Sequence, residues 1–169
     1  MTENAEILTI SSVTLSRHRV VALAYDGLCT FEFGVAVEIF GLPRPEMGER
    51  WYRFAVAAVD DGELRATGGI RLMTDGGMAL LGEADTIVVP GWRGIDSPVP
   101  PALCEALVAA HDLVLDGTDS FAARAAVNAA SVRAGVPLIA GAIAQWEGQV
   151  ALYDPLRGGP CMACVFPDA

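Results

Sequence analysis

Three groups of residues in this chain have types and spacings suited to chemistry. Cys161 and Cys164 form a C-x-x-C pair. Two thiolates at this spacing supply half of the four ligands that tetrahedral zinc takes; without metal the pair stands as free thiols or closes as a labile disulfide. Asp116-Gly117-Thr118-Asp119-Ser120 is a sharp turn leading into a helix. Asp119 and Ser120 can cap that helix, or Asp119 can offer oxygen to a hard cation such as Mg²⁺ while the helix N-terminus favours phosphate. Glu32 stands just after the first strand, where the helix dipole favours a carboxylate.

The elements that must position these groups alternate strand and helix. That order predicts an α/β fold with a mostly parallel sheet and helices on both faces. Residues 19–24 read as a first buried strand. Thr30 is expected to cap a helix over 31–40, stopped by Gly41 and Pro43. Residues 52–59 form a second strand, 64–77 a small hairpin excursion, and 85–90 a third strand. Pro100-Pro101 opens a helix with an apolar face of Leu103, Leu107 and Val108. A strand at 113–115 leads through the Asp116–Ser120 turn into a helix that Gly135 closes, with Pro137 beyond. Residues 136–140 are a further buried strand. Residues 148–153 read as an edge strand with Val150 and Leu152 turned inward. The strands at 20–24, 86–89, 113–115 and 136–139 are expected to be neighbours in one sheet. Residues 1–17 are expected to be a flexible leading segment, and so is the stretch around Cys161 and Cys164, which has little left to pack against.

Composition narrows the functional classes. With 169 residues, 53% hydrophobic and 19% charged, the chain suits one folded domain. Its apolar runs are too short to span a bilayer, and the first residues lack a basic n-region, so a cytoplasmic setting is expected. The formal charge is −10, and such a surface repels nucleic acid. All 11 basic residues are arginine. Without lysine there is no Schiff-base chemistry and no phosphate-binding lysine.

The first part of the chain resembles a known superfamily. Residues 20–27, Phe31-Glu32-Phe33-Gly34, Val37-Glu38-Ile39-Phe40, Gly41-Leu42-Pro43-Arg44-Pro45, Leu64-Arg65-Ala66-Thr67-Gly68-Gly69 and Ile87-Val88-Val89-Pro90-Gly91-Trp92 carry the likeness. They resemble the PfpI-type, class I glutamine-amidotransferase-like domain that opens AraC-type regulators of the FtrA and GlxA kind. The resemblance implies that Glu32 lines a ligand pocket facing a nucleophile elbow. Gly117 falls where the elbow cysteine would be, so no Cys-dependent amidase is expected. The regulators' basic helix-turn-helix has no counterpart here, and direct operator binding is not expected.

From Asp112 the likeness changes. Asp116-Gly117-Thr118-Asp119-Ser120, Arg124, Val127-Asn128, Trp146-Glu147-Gly148-Gln149 and Gly158-Gly159-Pro160-Cys161-Met162-Ala163-Cys164 resemble the central part of the ThiF, MoeB and HesA adenylating enzymes. By this resemblance Asp119 helps hold Mg²⁺ and ATP while a sulfur carrier's C-terminal carboxylate is adenylated. Gly117, Ser120, Arg124 and Asn128 join it as ligand-binding residues. Cys161 and Cys164 are the first pair of a zinc site. Ser120 departs from the family's Asn, and no G-x-G-x-x-G nucleotide loop occurs.

Together these readings predict one three-layer α/β/α Rossmann-like domain over 18–169, with a seam at 111–112. The expected function is a non-catalytic ligand-binding or dimerising domain, a homodimer with a small-molecule ligand. The alternative is a residual ATP/Mg-dependent adenylyltransferase of the ThiF/MoeB type.

Overall fold

A computed structural model describes residues 18–93, 97–118, 120–144 and 146–167. The leading segment 1–17 and Asp119 lie outside the described residues.

Strand β1 (Arg19–Ala24) is the centre of the first sheet, with Val20 to Ala24 wholly buried. Such a run has no polar face because both sides of a parallel sheet are covered. It pairs in parallel with β2 (Arg53–Ala58) on one side and β6 (Thr86–Val88) on the other. The short β5 (Gly76–Gly77) extends the sheet beyond β2, giving the order β5-β2-β1-β6.

Alternation along the strands sorts the side chains into two layers. Val21 and Leu23, in register with Ala55 and Ala57, pack against Leu80, Leu81, Ile87 and Leu107. On the opposite face Ala24, Val56 and Ala58 pack with Tyr25, Leu28 and Phe33. Phe33 belongs to α1 (Thr30–Ala36) and Leu107 to α2 (Pro101–Ala109), so helices cover both faces. The expected excursion is a two-stranded antiparallel ribbon of β3 (Leu64–Arg65) and β4 (Arg71–Leu72).

The start of α1 differs from expectation. Cys29 is its N-cap residue and no side chain caps it. Thr30 reaches sideways instead: its hydroxyl donates to the Thr67 carbonyl at 2.7 Å, tying the helix to the turn between β3 and β4. The helix also ends early, at Ala36, and continues as a wider π-type turn over Val37–Gly41. Gly41 suits that turn, since a Cβ there would lie 2.9 Å from the Phe54 ring.

The second sheet has the order β7-β8-β9. β7 (Val114–Asp116) runs parallel to β8 (Leu138–Ala144), and β9 (Glu147–Tyr153) returns antiparallel as an edge strand. Helix α3 (Phe121–Ala134) joins β7 to β8 and ends, as expected, at Gly135 in the left-handed conformation, φ 69°. Val114, Leu138, Ala140, Ala151 and Tyr153 face Val127 of α3 and Met162 of α4 (Met162–Val165).

Three expectations are corrected here. Among the described residues β7 does not pair with β6, so strands 113–115 and 136–139 lie outside the sheet that holds β1. Helix α2 links the two layers instead: Leu107 packs against β1 and β2, while Cys104 and Val108 pack against Ala130 and Val136. Next, β9 alternates in the opposite phase. Ala151 and Tyr153 point inward, leaving Val150 78% and Leu152 64% exposed. Finally, the C-x-x-C stretch is anchored at one residue, Met162, which is buried and whose N–H donates to Asn128 Oδ1 at 3.0 Å, while Ala163 to Pro167 stay exposed. The overall class, α/β with mostly parallel strands, is the one expected.

Candidate functional site

The C-terminal end of β7 carries the densest group of expected site residues. Asp116 ends the strand on its buried face and is only 4% exposed. Its Oδ1 accepts the Thr118 N–H at 2.9 Å, which folds the chain sharply at Gly117. Asp116 Oδ2 and Thr118 Oγ1 are buried without a hydrogen-bond partner among the described residues. An ionised carboxylate left in that condition is costly unless a proton, cation or water meets it. Among the described residues nothing lies within 4 Å of a Cβ placed at Gly117, so the space beside it is open to them.

Helix α3 starts at this turn, so its unpaired N–H groups face the same place. Ser120 caps it, accepting the Ala123 N–H at a long 3.4 Å. Arg124, in the first turn, donates to the Gly141 carbonyl of β8 at 2.7 Å and thereby clamps helix to sheet. The fold thus brings Gly117, Ser120 and Arg124 together. Asn128, one turn further along, is buried and holds the start of α4.

Glu32 belongs to a different place. It lies on α1, exposed, and a hydrogen bond from the Cys29 thiol holds its carboxyl below the usual range. Around it the ends of β1, β2 and β6 converge, the usual position for a ligand crevice in an open parallel sheet. Tyr25 donates to the Pro90 carbonyl at 3.1 Å. Burial, reinforced by Cys29 and Glu32 and opposed by Arg93, pushes its phenol up to about 12. The Arg93 guanidinium stacks 5.2 Å from the Trp92 ring and 5.6 Å from the Tyr25 ring, and pairs with Asp60. Burial raises the Asp60 carboxyl, but the Asp26 N–H and Arg93 outweigh it, and the group sits below its ordinary value.

Cys161 and Cys164 have Sγ atoms 3.3 Å apart. No third His, Cys, Asp or Glu completes a metal-binding group among the described residues. No helix among the described residues is long and apolar enough to cross a membrane.

Sequence reasoning passed over Asp116 and Thr118 as site residues. The signal was present: an aspartate ending the apolar run Leu113-Val114-Leu115 shares a strand face with Val114. A charge on a core face needs a reason. The Tyr25–Trp92–Arg93–Asp60 group had no such signal, because its members lie up to 68 positions apart.

Comparison with known proteins agrees with the second likeness. The ThiF family model matches residues 91–169, starting well before the expected seam at 111–112. The chain is 47% identical over 60 residues to the molybdopterin-synthase adenylyltransferase of Escherichia coli, covering 36% of this chain and 24% of that protein. It is 49% identical over 61 residues to the sulfur carrier protein adenylyltransferase of Thermus thermophilus, covering 34% and 22%. For the adenylyltransferase and sulfurtransferase MOCS3 of Dictyostelium discoideum the figures are 44% over 57 residues, 34% and 13%. The chain spans less than a quarter of the length of these relatives. Among solved structures it is similar to an AraC family transcriptional regulator from Pseudomonas putida, with a TM-score of 0.49 and 20% identity over 68% of this chain and 62% of that one. Residues 91–169, less than half of the chain, are thus ThiF-like, and the preceding residues fall outside that match.

Proposed function

We propose that the turn between β7 and α3 is a residual nucleotide site of the ThiF/MoeB type, binding ATP with Mg²⁺. The observation that carries this reading is the buried Asp116 carboxylate, with one oxygen unpartnered among the described residues, on the same turn as the Thr118 hydroxyl, likewise without a partner among them. Both are hard oxygen donors of the kind Mg²⁺ takes. They lie in the ThiF-like part of the chain, and Asp119, by the family resemblance, belongs to the same donor set. A bound Mg²⁺ would neutralise phosphate charge. The α3 N-terminus adds N–H donors for a phosphate, and the open space beside Gly117 lets a ligand approach the backbone closely. The relatives' names give adenylyl transfer, in one of them to a sulfur carrier protein, as the activity that such a site serves. This sequence has no lysine and no Gly-rich loop, so we infer binding with little or no turnover.

The test is calorimetric titration of the intact chain with ATP in the presence and absence of Mg²⁺. Saturable binding that needs Mg²⁺ and weakens at least ~10-fold in Asp116→Asn supports the reading; one lost charge-assisted contact is worth about 1.5–3 kcal/mol. Asparagine keeps the bond to the Thr118 N–H, so the turn should survive. No heat at millimolar ATP would remove the proposal.

A second reading, a dimerising domain, draws on the outer face of the second sheet. Leu115, Ile139 and Leu152 lie in register across β7, β8 and β9, with Val150 two residues from Leu152. Leu115 is 73% exposed. An apolar strip of this kind is a common signature of an association surface. Sedimentation of wild type against Leu152→Lys distinguishes the cases: a dimer that the substitution turns into monomer supports this reading, and a wild-type monomer ends it. The small-molecule ligand expected near Glu32 would lie against Trp92 and Arg93, at the ends of β1 and β6.

A further inference from the structure

Arg93 carries a cation into a setting that two rings and a carboxylate prepare. The Tyr25 and Trp92 rings stand 5.1 Å apart between centroids, tilted by 46°, and form a corner. The Arg93 guanidinium lies over both, 5.6 Å from the Tyr25 centroid and 5.2 Å from that of Trp92. Each ring face attracts a cation. Tyr25 is fixed by its bond to the Pro90 carbonyl at 3.1 Å. Asp60 is held by the Asp26 N–H at 2.9 Å and pairs with Arg93 through Nη2, and both bonds fall on the same oxygen, Oδ2. A guanidinium can hold both oxygens of a carboxylate side by side, so this end-on pairing leaves that geometry unused among the described residues. The two side chains are 34% and 30% exposed. A pair so open to solvent binds its members weakly, and Arg93 can be exchanged. The surrounding charge favours a cation. Asp26 adjoins Tyr25 in the chain, and Glu32 is near enough to help raise the Tyr25 phenol. Arg65, whose N–H holds Asp26, turns its guanidinium to Glu63.

We propose that the corner of Tyr25, Trp92 and Asp60 binds a small guanidinium compound, and that Arg93 is the chain's own stand-in for it. The inference rests on the reading of a small-molecule ligand against Trp92 and Arg93, and names its chemical class. When the ligand enters, Arg93 swings into solvent. The ligand's planar head takes its place over the rings, and two of its N–H groups meet the two oxygens of Asp60. A guanidinium suits this corner because it is flat enough to stack on a ring and forked enough to meet a carboxylate. A quaternary ammonium head offers the charge without the N–H groups. An anion would face the Asp26, Glu32 and Asp60 carboxylates. Arg93 competes from within the chain, at an effective concentration on the order of millimolar. It therefore weakens the site in the wild type, and its removal should strengthen binding.

The experiment titrates the intact chain with methylguanidine in a calorimeter, with tetramethylammonium and acetate in parallel. Wild type and Arg93→Ala are compared, each first shown to melt cooperatively. Arg93→Gln, which keeps the stem of the side chain over the rings, takes the place of Arg93→Ala should that variant fail to fold. The expected result is saturable binding of methylguanidine that tightens at least ~10-fold once the competing side chain is gone. Adding Asp60→Asn to the Arg93 variant should weaken it again by ~10-fold or more, the worth of a charge-assisted hydrogen bond. Tetramethylammonium should bind at least ~10-fold more weakly than methylguanidine, for want of those bonds. An Arg93 variant that binds methylguanidine no more tightly than wild type would overturn the proposal. Equal binding of the two cations would overturn the guanidinium class. Acetate binding without methylguanidine binding would overturn the proposal and leave the reading of a ligand at this place standing. A chain and variant that bind none of the three at millimolar concentration would remove both.

Discussion

Asp116 and Asp60 show how the same side chain acts differently when its partners differ. Asp60 is satisfied by the Asp26 N–H at 2.9 Å and by Arg93; Asp116 has one oxygen spoken for and one unpartnered among the described residues. The first arrangement lowers the carboxyl and so links stability to pH. A depressed folded value means that the contribution is fully present above the unfolded aspartate value of about 3.9 and is lost as pH falls through the lower folded value. Thermal melts of wild type and Asp60→Asn should therefore differ by a constant amount from about pH 5 to 8 and converge below that range. An undiminished difference at pH 2 would show that the link is wrong. Tyr25 offers a second residue-scale test. Its hydroxyl is donated to a backbone carbonyl in a buried setting, so Tyr25→Phe should cost about 1 kcal/mol in urea unfolding.

At the scale of elements, α3 is the best-specified piece of the chain. Ser120 at its start and Gly135 at its end were legible because cap chemistry is local and needs no partner elsewhere. The end is the stronger of the two. Gly135 is left-handed, and a Cβ there would also lie 3.2 Å from Leu156. Gly135→Ala should destabilise by roughly 1–2 kcal/mol in chemical denaturation. Ser120→Ala, which loses a bond of 3.4 Å, should sit near the low end of cap effects, about 0.5 kcal/mol. Equal losses would mean that the cap bond is stronger than its length implies. Helix α1 is the contrast. Thr30 has the right type for a cap, yet its hydroxyl serves Thr67, 37 positions away, and no local rule could foresee that.

Across the whole molecule the two sheets meet through α2 rather than through strand pairing among the described residues. Leu107 faces one sheet, and Cys104 and Val108 face the other half. Leu107→Ala should cost about 2 kcal/mol and reduce amide-exchange protection in β1 and β2 more than in β7 and β8. Equal loss in all four strands would mean that the halves unfold as one cooperative unit that this single contact does not divide.

Period and local chemistry were readable from the sequence alone. The strand and helix order, the buried β1, the antiparallel ribbon, the Gly135 stop and the ThiF-like character of the later residues all rest on side chains close together in the chain. The face that each strand presents was not readable. A period of two gives alternation but not its phase, and β9 shows this: Val150 and Leu152 are the larger apolar residues, yet Ala151 and Tyr153 face α3 and α4. The tertiary structure also decided which strands pair, because a strand's edge carries backbone groups that any other strand can match. It likewise brought Tyr25, Asp60 and Arg93 together from three separate strand ends, buried Asp116 with one oxygen unpartnered among the described residues, and held Cys161 against Cys164 by seating Met162 in the core. Those contacts join residues far apart in the chain, where sequence spacing carries no distance information.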